Sequence, residues 1–191
     1  MPQPVRSAHR PPPLLRPRHV GHTMLFHCID DYFGPFHREQ ASLHQQPFAA
    51  SLAGGGLAFL LADTQIAACM QVIAGCVIST TRTLRLFSHV DCGAYIYFAG
   101  VDWQQLERAE REAVQIATLW RDLHLAETVI RDYASNFKHP TNPGWVAPEL
   151  TIDLEVIDLA EHSVPEPASL EPALPLSRYR GVCVPRSAIR Q

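Results

Sequence analysis

Two apolar runs of this chain each end in side chains that bind metal ions. The first run ends in His27-Cys28-Ile29-Asp30-Asp31, and the second ends in Ser88-His89-Val90-Asp91-Cys92-Gly93. Together they offer two thiolates and an imidazole, which is the ligand set of a zinc site with one position left open. The pairing constrains the fold, because the ends of two runs that are distant in the sequence must meet at one point.

Length and composition indicate one globular domain. The chain has 191 residues, of which 47% are hydrophobic and 18% charged, and its net charge is −3. These values suit a single domain with a sizeable core and give no indication of nucleic-acid binding. The longest apolar candidate for a membrane span, residues 57–62, ends at Asp63 and is far shorter than the roughly 20 residues that cross a bilayer. We therefore expect neither a nucleic acid nor a membrane as partner.

The two ends of the chain differ in composition from its middle. Residues 1–21 are rich in proline and arginine and lack the apolar core of a secretory signal, so we expect a disordered head. Residues 161–191 are rich in proline and have no steady periodicity, so we expect a disordered tail. The zinc-binding α/β domain is then residues 22–160. Five cysteines in a chain without a signal favour reduced thiols over disulfides, and we expect a cytoplasmic protein.

Short apolar runs and one long periodic run predict the secondary structure. Strands are expected at 23–29, 84–88, 128–133 and 150–157. The last of these alternates polar and apolar residues, which is typical of an edge strand. Residues 57–78 are predicted to be helical for most of their length, and a long helix is predicted from an N-cap at Asp102 to about Leu125. Strands that alternate with helices predict a parallel sheet, whose ligands collect at the carboxyl ends of the strands.

The ligand candidates are Cys28, His89 and Cys92. They can bind one zinc ion tetrahedrally if the strands that precede them are neighbours, and the spacing of His89 and Cys92 lets this pair reach the same ion. The spacing is weak evidence by itself. The alternative is that both cysteines are small buried hydrophobic residues and that His89 is a hydrogen-bonded core histidine.

The order of these motifs resembles the β-class carbonic anhydrases. The resemblance consists of Cys28-x-Asp30, the glycine-rich Ala53-Gly54-Gly55 and His89-x-x-Cys92-Gly93, and it extends over about residues 23–133. It implies a Rossmann-like, three-layer α/β fold around a mainly parallel sheet, and a homodimer or a multiple of dimers. It also implies zinc held by Cys28, His89 and Cys92.

The chain departs from the family pattern at one residue, which lies in the motif that contains the aspartate of the site. The first motif of the family is Cys-x-Asp-x-Arg, in which the arginine holds the aspartate off the metal, and this chain has Tyr32 in place of the arginine. Without that partner, Asp30 is a possible fourth zinc ligand, which would close the site. Alternatively, Arg38, Arg82 or Arg85 supplies the missing charge from elsewhere.

The resemblance implies a lyase that hydrates CO2 reversibly to bicarbonate by means of zinc-bound hydroxide, with Asp30 as the catalytic residue that orients the hydroxide. Two alternatives remain open. One is a catalytically inactive zinc-binding relative with a structural or assembly role, and the other is a hydrolase of a CO2-like substrate such as CS2 or COS.

Further residues near the two motifs have roles that the sequence leaves undecided. We assign Gly54, Gly55 and Gly93 to the loops of the substrate pocket, where backbone N–H groups could face a developing anion, although a tight turn explains the glycine run equally well. Asp91 is either an acceptor that fixes the His89 tautomer or a surface residue. Cys69 and Cys76 share a helix face and are expected to be buried without a metal role.

Overall fold

The computed structural model describes residues 22–29, 34–44, 47–78, 80–160 and 162–184. Several sequence-based expectations concern residues outside these ranges. They are the disordered head at 1–21 and the roles of Asp30 and Tyr32.

Within the described residues, a five-stranded sheet of order β2-β1-β3-β4-β5 forms the centre of the domain. The strands are β1 (Thr23–His27), β2 (Phe48–Ser51), β3 (Thr83–His89), β4 (Thr151–Ile157) and β5 (Ser163–Val164). The first four strands pair in parallel, and β5 pairs antiparallel with β4. Since β1 and β3 are adjacent, the two metal-binding motifs lie side by side at the carboxyl edge of the sheet.

Helices cover both faces of the sheet. They are α1 (Gly34–Leu43), α2 (Ala62–Ile78), α3 (Gly93–Tyr97) and α4 (Arg108–Asn136), together with 3-10 helices at Gly55–Phe59, Trp103–Gln105 and Leu176–Arg178. On one face, Leu84 and Leu86 of β3 belong to the main core, to which α2 and α4 also contribute. On the other face, Phe36 of α1 packs on Phe87, with ring centroids 5.5 Å apart. The predicted three-layer α/β architecture with a mainly parallel sheet is confirmed.

Strand alternation explains why each face is apolar where a helix covers it. Along β3, Leu84 and Leu86 point to the main core, whereas Phe87 points to α1. The predicted helical stretch 57–78 is divided into the 3-10 helix Gly55–Phe59 and α2. In the described part of the chain, no helix combines the length and the hydropathy that a bilayer crossing requires.

The predicted N-cap of the long helix caps a different element. Asp102 Oδ1 accepts a hydrogen bond of 2.9 Å from the Gln104 N–H and so caps the 3-10 helix Trp103–Gln105, whereas α4 begins only at Arg108. The prediction that Asp102 caps the long helix is therefore wrong, because its side chain caps the short turn that precedes this helix.

Helix α4 also continues through residues 128–133, for which the sequence predicted a strand. That prediction is wrong. Thr128, Val129 and Ile130 favour a strand locally because they are β-branched. However, Val129 and Ile130 extend the buried stripe of α4 that begins further upstream, and burial against the sheet outweighs local propensity.

Residues 162–184 pack on the domain, whereas the sequence predicted a disordered tail over 161–191. The short strand β5 makes β4 an internal strand, although the sequence predicted an edge strand. We call residues 174–183 the C-terminal strap. Its Tyr179 is buried, and Val182 forms an isolated bridge with Leu61. Backbone hydrogen bonds and one buried ring hold this segment, and neither produces a periodic apolar pattern in the sequence.

Candidate metal centre

The topology brings the three predicted ligand residues together. Cys28 directly follows β1, His89 ends β3, and Cys92 occupies the N-cap position of α3. Because parallel β1 and β3 are neighbours, their carboxyl ends place Cys28 close to His89 and to the turn that carries Cys92. Short apolar strands that end in polar or thiol side chains produce this arrangement, since the chain must leave the core at the edge of the sheet.

The ligand atoms of Cys28, His89 and Cys92 all lie within 4.8 Å of one another. The two sulfur atoms, Cys28 Sγ and Cys92 Sγ, are 3.7 Å apart. All three side chains are buried, with exposed fractions of 6%, 4% and 2%. Among the described residues, no other three His, Cys, Asp or Glu side chains form such a cluster. The three side chains therefore form a potential metal site.

Cys28 is held as a thiolate by its surroundings. The Gly54 N–H donates a hydrogen bond of 3.2 Å to Cys28 Sγ. Hydrogen bonding with Cys92 is the main cause that lowers the pKa of the Cys28 thiol to about 4, and His89 and the Gly54 N–H lower it further, while burial opposes them. The thiolate is the form of cysteine that binds metal ions.

A backbone carbonyl fixes the orientation of the His89 ring. His89 Nδ1 lies 2.9 Å from the carbonyl oxygen of Val90. Since a carbonyl oxygen only accepts hydrogen bonds, Nδ1 carries the proton, and Nε2 is the nitrogen with a lone pair for a metal. Asp91 does not serve as this acceptor. Its Oδ1 accepts a hydrogen bond of 3.1 Å from Gln115 Nε2.

The glycine-rich loop contacts the cluster through its backbone. Gly54 and Gly55 have φ angles of +91° and +54°, which residues other than glycine rarely adopt. The Gly54 N–H points to Cys28 Sγ, and the Gly55 N–H donates a hydrogen bond of 3.0 Å to the Leu52 carbonyl oxygen. These two groups thus serve the Cys28 sulfur and a turn, and the turn is one of the two alternatives that the sequence left open. Gly93 begins α3, where an added Cβ would only touch the Tyr97 ring.

Replacing Gly55 with alanine should damage the loop. A Cβ at this position would overlap the carbonyl oxygen of Phe87 on β3, and the positive φ angle adds strain. We expect Gly55→Ala to lower the free energy of unfolding by about 2–3 kcal/mol, measured by urea denaturation. Gly144→Ala is the matched control because its Cβ would approach only Asn142 Oδ1, at 3.8 Å. Equal urea midpoints for the two variants would contradict the close packing of the loop.

Sequence reasoning missed the residues that connect the turn of Cys92 to α4 and to the C-terminal strap. Tyr95, three positions after Cys92, donates a hydrogen bond of 3.0 Å to the buried carboxylate of Asp122 on α4. Tyr179 of the C-terminal strap donates to the same oxygen at 2.5 Å. The only signal in the sequence was an aspartate within the apolar stripe of a long helix.

The remaining cysteines lie apart from the cluster. Cys69 and Cys76 are buried in α2, and burial raises the pKa of Cys69 to about 12. The prediction that both are buried is confirmed. Cys183 is exposed in the C-terminal strap. All five cysteines are free thiols.

Comparisons with known proteins give structural neighbours only. No family model matches this chain, and no curated protein matches its sequence. In solved structures, its fold is similar to a carbonic anhydrase from Streptococcus mutans, with 15% identity and a TM-score of 0.44 over 83% of this chain and 87% of that chain. It is also similar to the β-carbonic anhydrase of Aspergillus fumigatus, with 11% identity and a TM-score of 0.45 over 84% and 82%. A carbon disulfide hydrolase gives 14% identity and a TM-score of 0.40 over 80% and 81%.

Proposed function

We propose that this chain binds one zinc ion through Cys28, His89 and Cys92 and catalyses the reversible hydration of CO2 to bicarbonate. The separation of the two thiol sulfurs is the observation that supports zinc most directly. Two sulfur atoms that are each about 2.3 Å from one tetrahedral ion are about 3.8 Å apart. The observed distance between Cys28 Sγ and Cys92 Sγ is 3.7 Å. The positions of the two sulfur atoms therefore fit one zinc ion without rearrangement.

Three protein ligands leave one tetrahedral position for a further group, as in catalytic zinc sites. When bound, zinc supplies a Lewis acid that brings the pKa of water from about 16 to about 7 and so provides hydroxide at neutral pH. The chain's own residues hold the donors in place. Gly54 fixes the Cys28 sulfur and the Val90 carbonyl fixes the His89 ring, so neither ligand has to reorganise.

The choice of CO2 as substrate rests on the resemblance of the two motifs to β-class carbonic anhydrases. In this proposal Asp30 orients the attacking oxygen. Tyr32 stands where the family has the arginine that restrains this aspartate. Two of the three candidate replacements have other positions or partners in the fold. Arg82 precedes β3, about 20 Å from its carboxyl end. Arg85 forms an ion pair with Glu155.

Arg38 is then the candidate partner of Asp30. It lies exposed on α1, and α1 begins four residues after Asp30 in the sequence. If Arg38 does not restrain Asp30, this carboxylate becomes the fourth ligand and the protein is a non-catalytic zinc protein. The substitution at Tyr32 is the specific observation that favours this second candidate function.

The proposal also includes self-association and a cytoplasmic location. Tyr97, which ends α3, and Phe98, which follows it, are 82% and 56% exposed and offer apolar surface for a second copy. Five free thiols suit a reducing compartment.

CO2 hydration by the zinc-loaded protein tests the proposed activity. We expect the wild type to exceed the buffer rate and Cys92→Ser to fall to it, because the variant lacks one of three ligands. Cys183→Ser, which changes an exposed thiol outside the cluster, should keep the wild-type rate. A zinc-loaded wild type that only matches the buffer rate would overturn CO2 hydration. The same sample would then be assayed with CS2 and COS as substrates. A chelator would also be added, and the fall in the melting temperature would measure the structural role of zinc.

A further inference from the structure

A buried carboxylate connects the metal centre to the C-terminal strap. Asp122 on α4 is fully buried. Its Oδ2 accepts hydrogen bonds from Tyr95 Oη at 3.0 Å and Tyr179 Oη at 2.5 Å. Its Oδ1 accepts from Arg121, at 3.0 Å from Nε and 2.6 Å from the terminal nitrogen. We call these four residues the Asp122 cluster. A buried charge that is satisfied by several donors fixes the geometry of those donors.

One branch of the Asp122 cluster reaches Cys92. Helix α3 has only five residues, and its N-cap, Cys92, makes no side-chain capping bond. Tertiary contacts must therefore set its orientation. The Tyr95 N–H donates to the Cys92 carbonyl oxygen at 3.1 Å, and the Tyr95 carbonyl oxygen accepts from the Val101 N–H at 2.8 Å. The Tyr95 ring is fully buried against Trp103, with centroids 5.4 Å apart. Tyr95 therefore links the Asp122 cluster to the turn that carries Cys92.

The other branch reaches the C-terminal strap. The Tyr179 ring packs edge-on against the Tyr95 ring, with centroids 6.0 Å apart. Arg121 donates to Tyr179 Oη at 2.9 Å and also to the carbonyl oxygen of Leu174. The Arg180 N–H donates to the Ala99 carbonyl oxygen at 2.8 Å, close to the end of α3. The strap therefore contacts α3 and α4 at the same time.

The strap also contacts the residues that directly follow the glycine loop and its 3-10 helix. The Gly181 carbonyl oxygen accepts from the Ala62 N–H at 2.8 Å, and the Cys183 N–H donates to the Leu60 carbonyl oxygen at 2.7 Å. These contacts immediately follow the 3-10 helix that begins at Gly55. The C-terminal strap thus contacts two parts of the fold that adjoin the metal centre. They are the segment after the glycine loop and the segment after α3.

We propose that Tyr179 is a positioning residue of the metal centre, which acts through Asp122 and Tyr95 to hold Cys92 at binding distance from Cys28. The proposal rests on the metal binding stated under the proposed function. The reason is that the Tyr95 and Tyr179 hydroxyls share one acceptor, Asp122 Oδ2. Loss of the Tyr179 hydroxyl therefore leaves Tyr95 as the one remaining hydroxyl donor to this oxygen. The carboxylate then relaxes toward Tyr95 and α3 shifts with it. A zinc site tolerates displacements of only about 0.5 Å.

Zinc affinity measured by competition with a chromophoric chelator tests the proposal. We expect Tyr179→Phe and Tyr95→Phe to weaken zinc binding about tenfold each, as is typical when groups that orient metal ligands are removed. Tyr97→Phe removes an exposed hydroxyl from the same short helix and should bind zinc like the wild type. With Co2+ in place of zinc, the thiolate-to-cobalt absorption should change in the two cluster variants and stay constant in Tyr97→Phe.

Two measurements separate positioning from a general loss of stability. Affinities are measured where thermal denaturation shows each metal-free variant to be fully folded. In addition, the double variant Tyr95→Phe with Tyr179→Phe should weaken binding less than the product of the two single effects, because both act on the same oxygen. Unchanged affinity in folded Tyr179→Phe, or fully multiplicative effects in the double variant, would overturn the proposal.

A metal-free measurement keeps this test independent of the proposed function. Glutathione disulfide can oxidise Cys28 and Cys92 to an internal disulfide, and it takes up the two electrons and two protons as two molecules of glutathione. The equilibrium constant reports how closely the two thiols are held. If the wild type binds no zinc, the proposed function fails, and this equilibrium decides the positioning role. A constant lowered several-fold in Tyr179→Phe supports it, whereas an unchanged constant overturns it.

Discussion

Purified wild-type protein is expected to contain about one zinc per chain, and Cys92→Ser almost none. Serine is nearly isosteric with cysteine, but its hydroxyl stays protonated at neutral pH and is a poor zinc ligand. The remaining Cys28 and His89 then provide only two of three donors. Cys28 and His89 are buried at a preformed site that then lacks its third donor. We therefore expect the zinc affinity to fall by more than about a thousandfold, where each factor of ten corresponds to about 1.4 kcal/mol. Metal analysis after dialysis against a weak chelator is the measurement.

Cys183→Ser is the matched control for the zinc experiment, because it makes the same chemical change at an exposed position. It should retain zinc at the wild-type level. Stoichiometric zinc in Cys92→Ser would show that Cys92 is not a ligand. A wild type without zinc would overturn both the lyase and the non-catalytic zinc protein, because both require the same three ligands.

Asp122→Ala is expected to lower the free energy of unfolding by about 3–5 kcal/mol. The substitution removes the acceptor of the Tyr95 and Tyr179 hydroxyls and leaves the half-buried Arg121 without its carboxylate. Burial raises the pKa of Asp122, although Arg121 and the two hydroxyls stabilise the charged form. Urea denaturation of the metal-free protein measures the loss without a contribution from zinc.

Asp132→Ala is the control for the stability experiment, because Asp132 is an exposed aspartate in the same helix. Its removal should change the free energy of unfolding by no more than about 0.5 kcal/mol. A loss below about 1 kcal/mol for Asp122→Ala would mean that the Asp122 cluster does not join α3, α4 and the strap as the distances indicate.

The sequence predicted the parts of the site that depend on local pattern. Short apolar runs end at His27 and at His89, and in a parallel sheet such runs place the following residues at one edge. The meeting of Cys28, His89 and Cys92 was therefore predictable on the condition that the two strands are neighbours, which the tertiary structure decided. That Asp102 is a helix cap was predictable because capping is a local interaction, but the element that it caps was not.

The sequence was less informative where distant contacts compete with local preference. The three β-branched residues that begin the stretch 128–133 suggested a strand, yet the stretch lies in α4, because the burial of Val129 and Ile130 extends a helical stripe. Helix α1 and strand β2 had no counterpart in the sequence prediction. The proline-rich residues 162–184 suggested disorder, yet most of the bonds that hold the C-terminal strap are made by backbone groups, which no side-chain pattern reveals.

The sequence by itself therefore determined the donor set, because the chemistry of two thiols and an imidazole is a property of residue type and of strand ends. Only the tertiary structure decided the separation of the two sulfurs, the direction of the Gly54 N–H and the link from Tyr179 through Asp122 to Tyr95. Those features depend on where α3, α4 and the strap settle against one another. That arrangement is set by close packing and by the need to satisfy one buried charge, and both are properties of the whole fold.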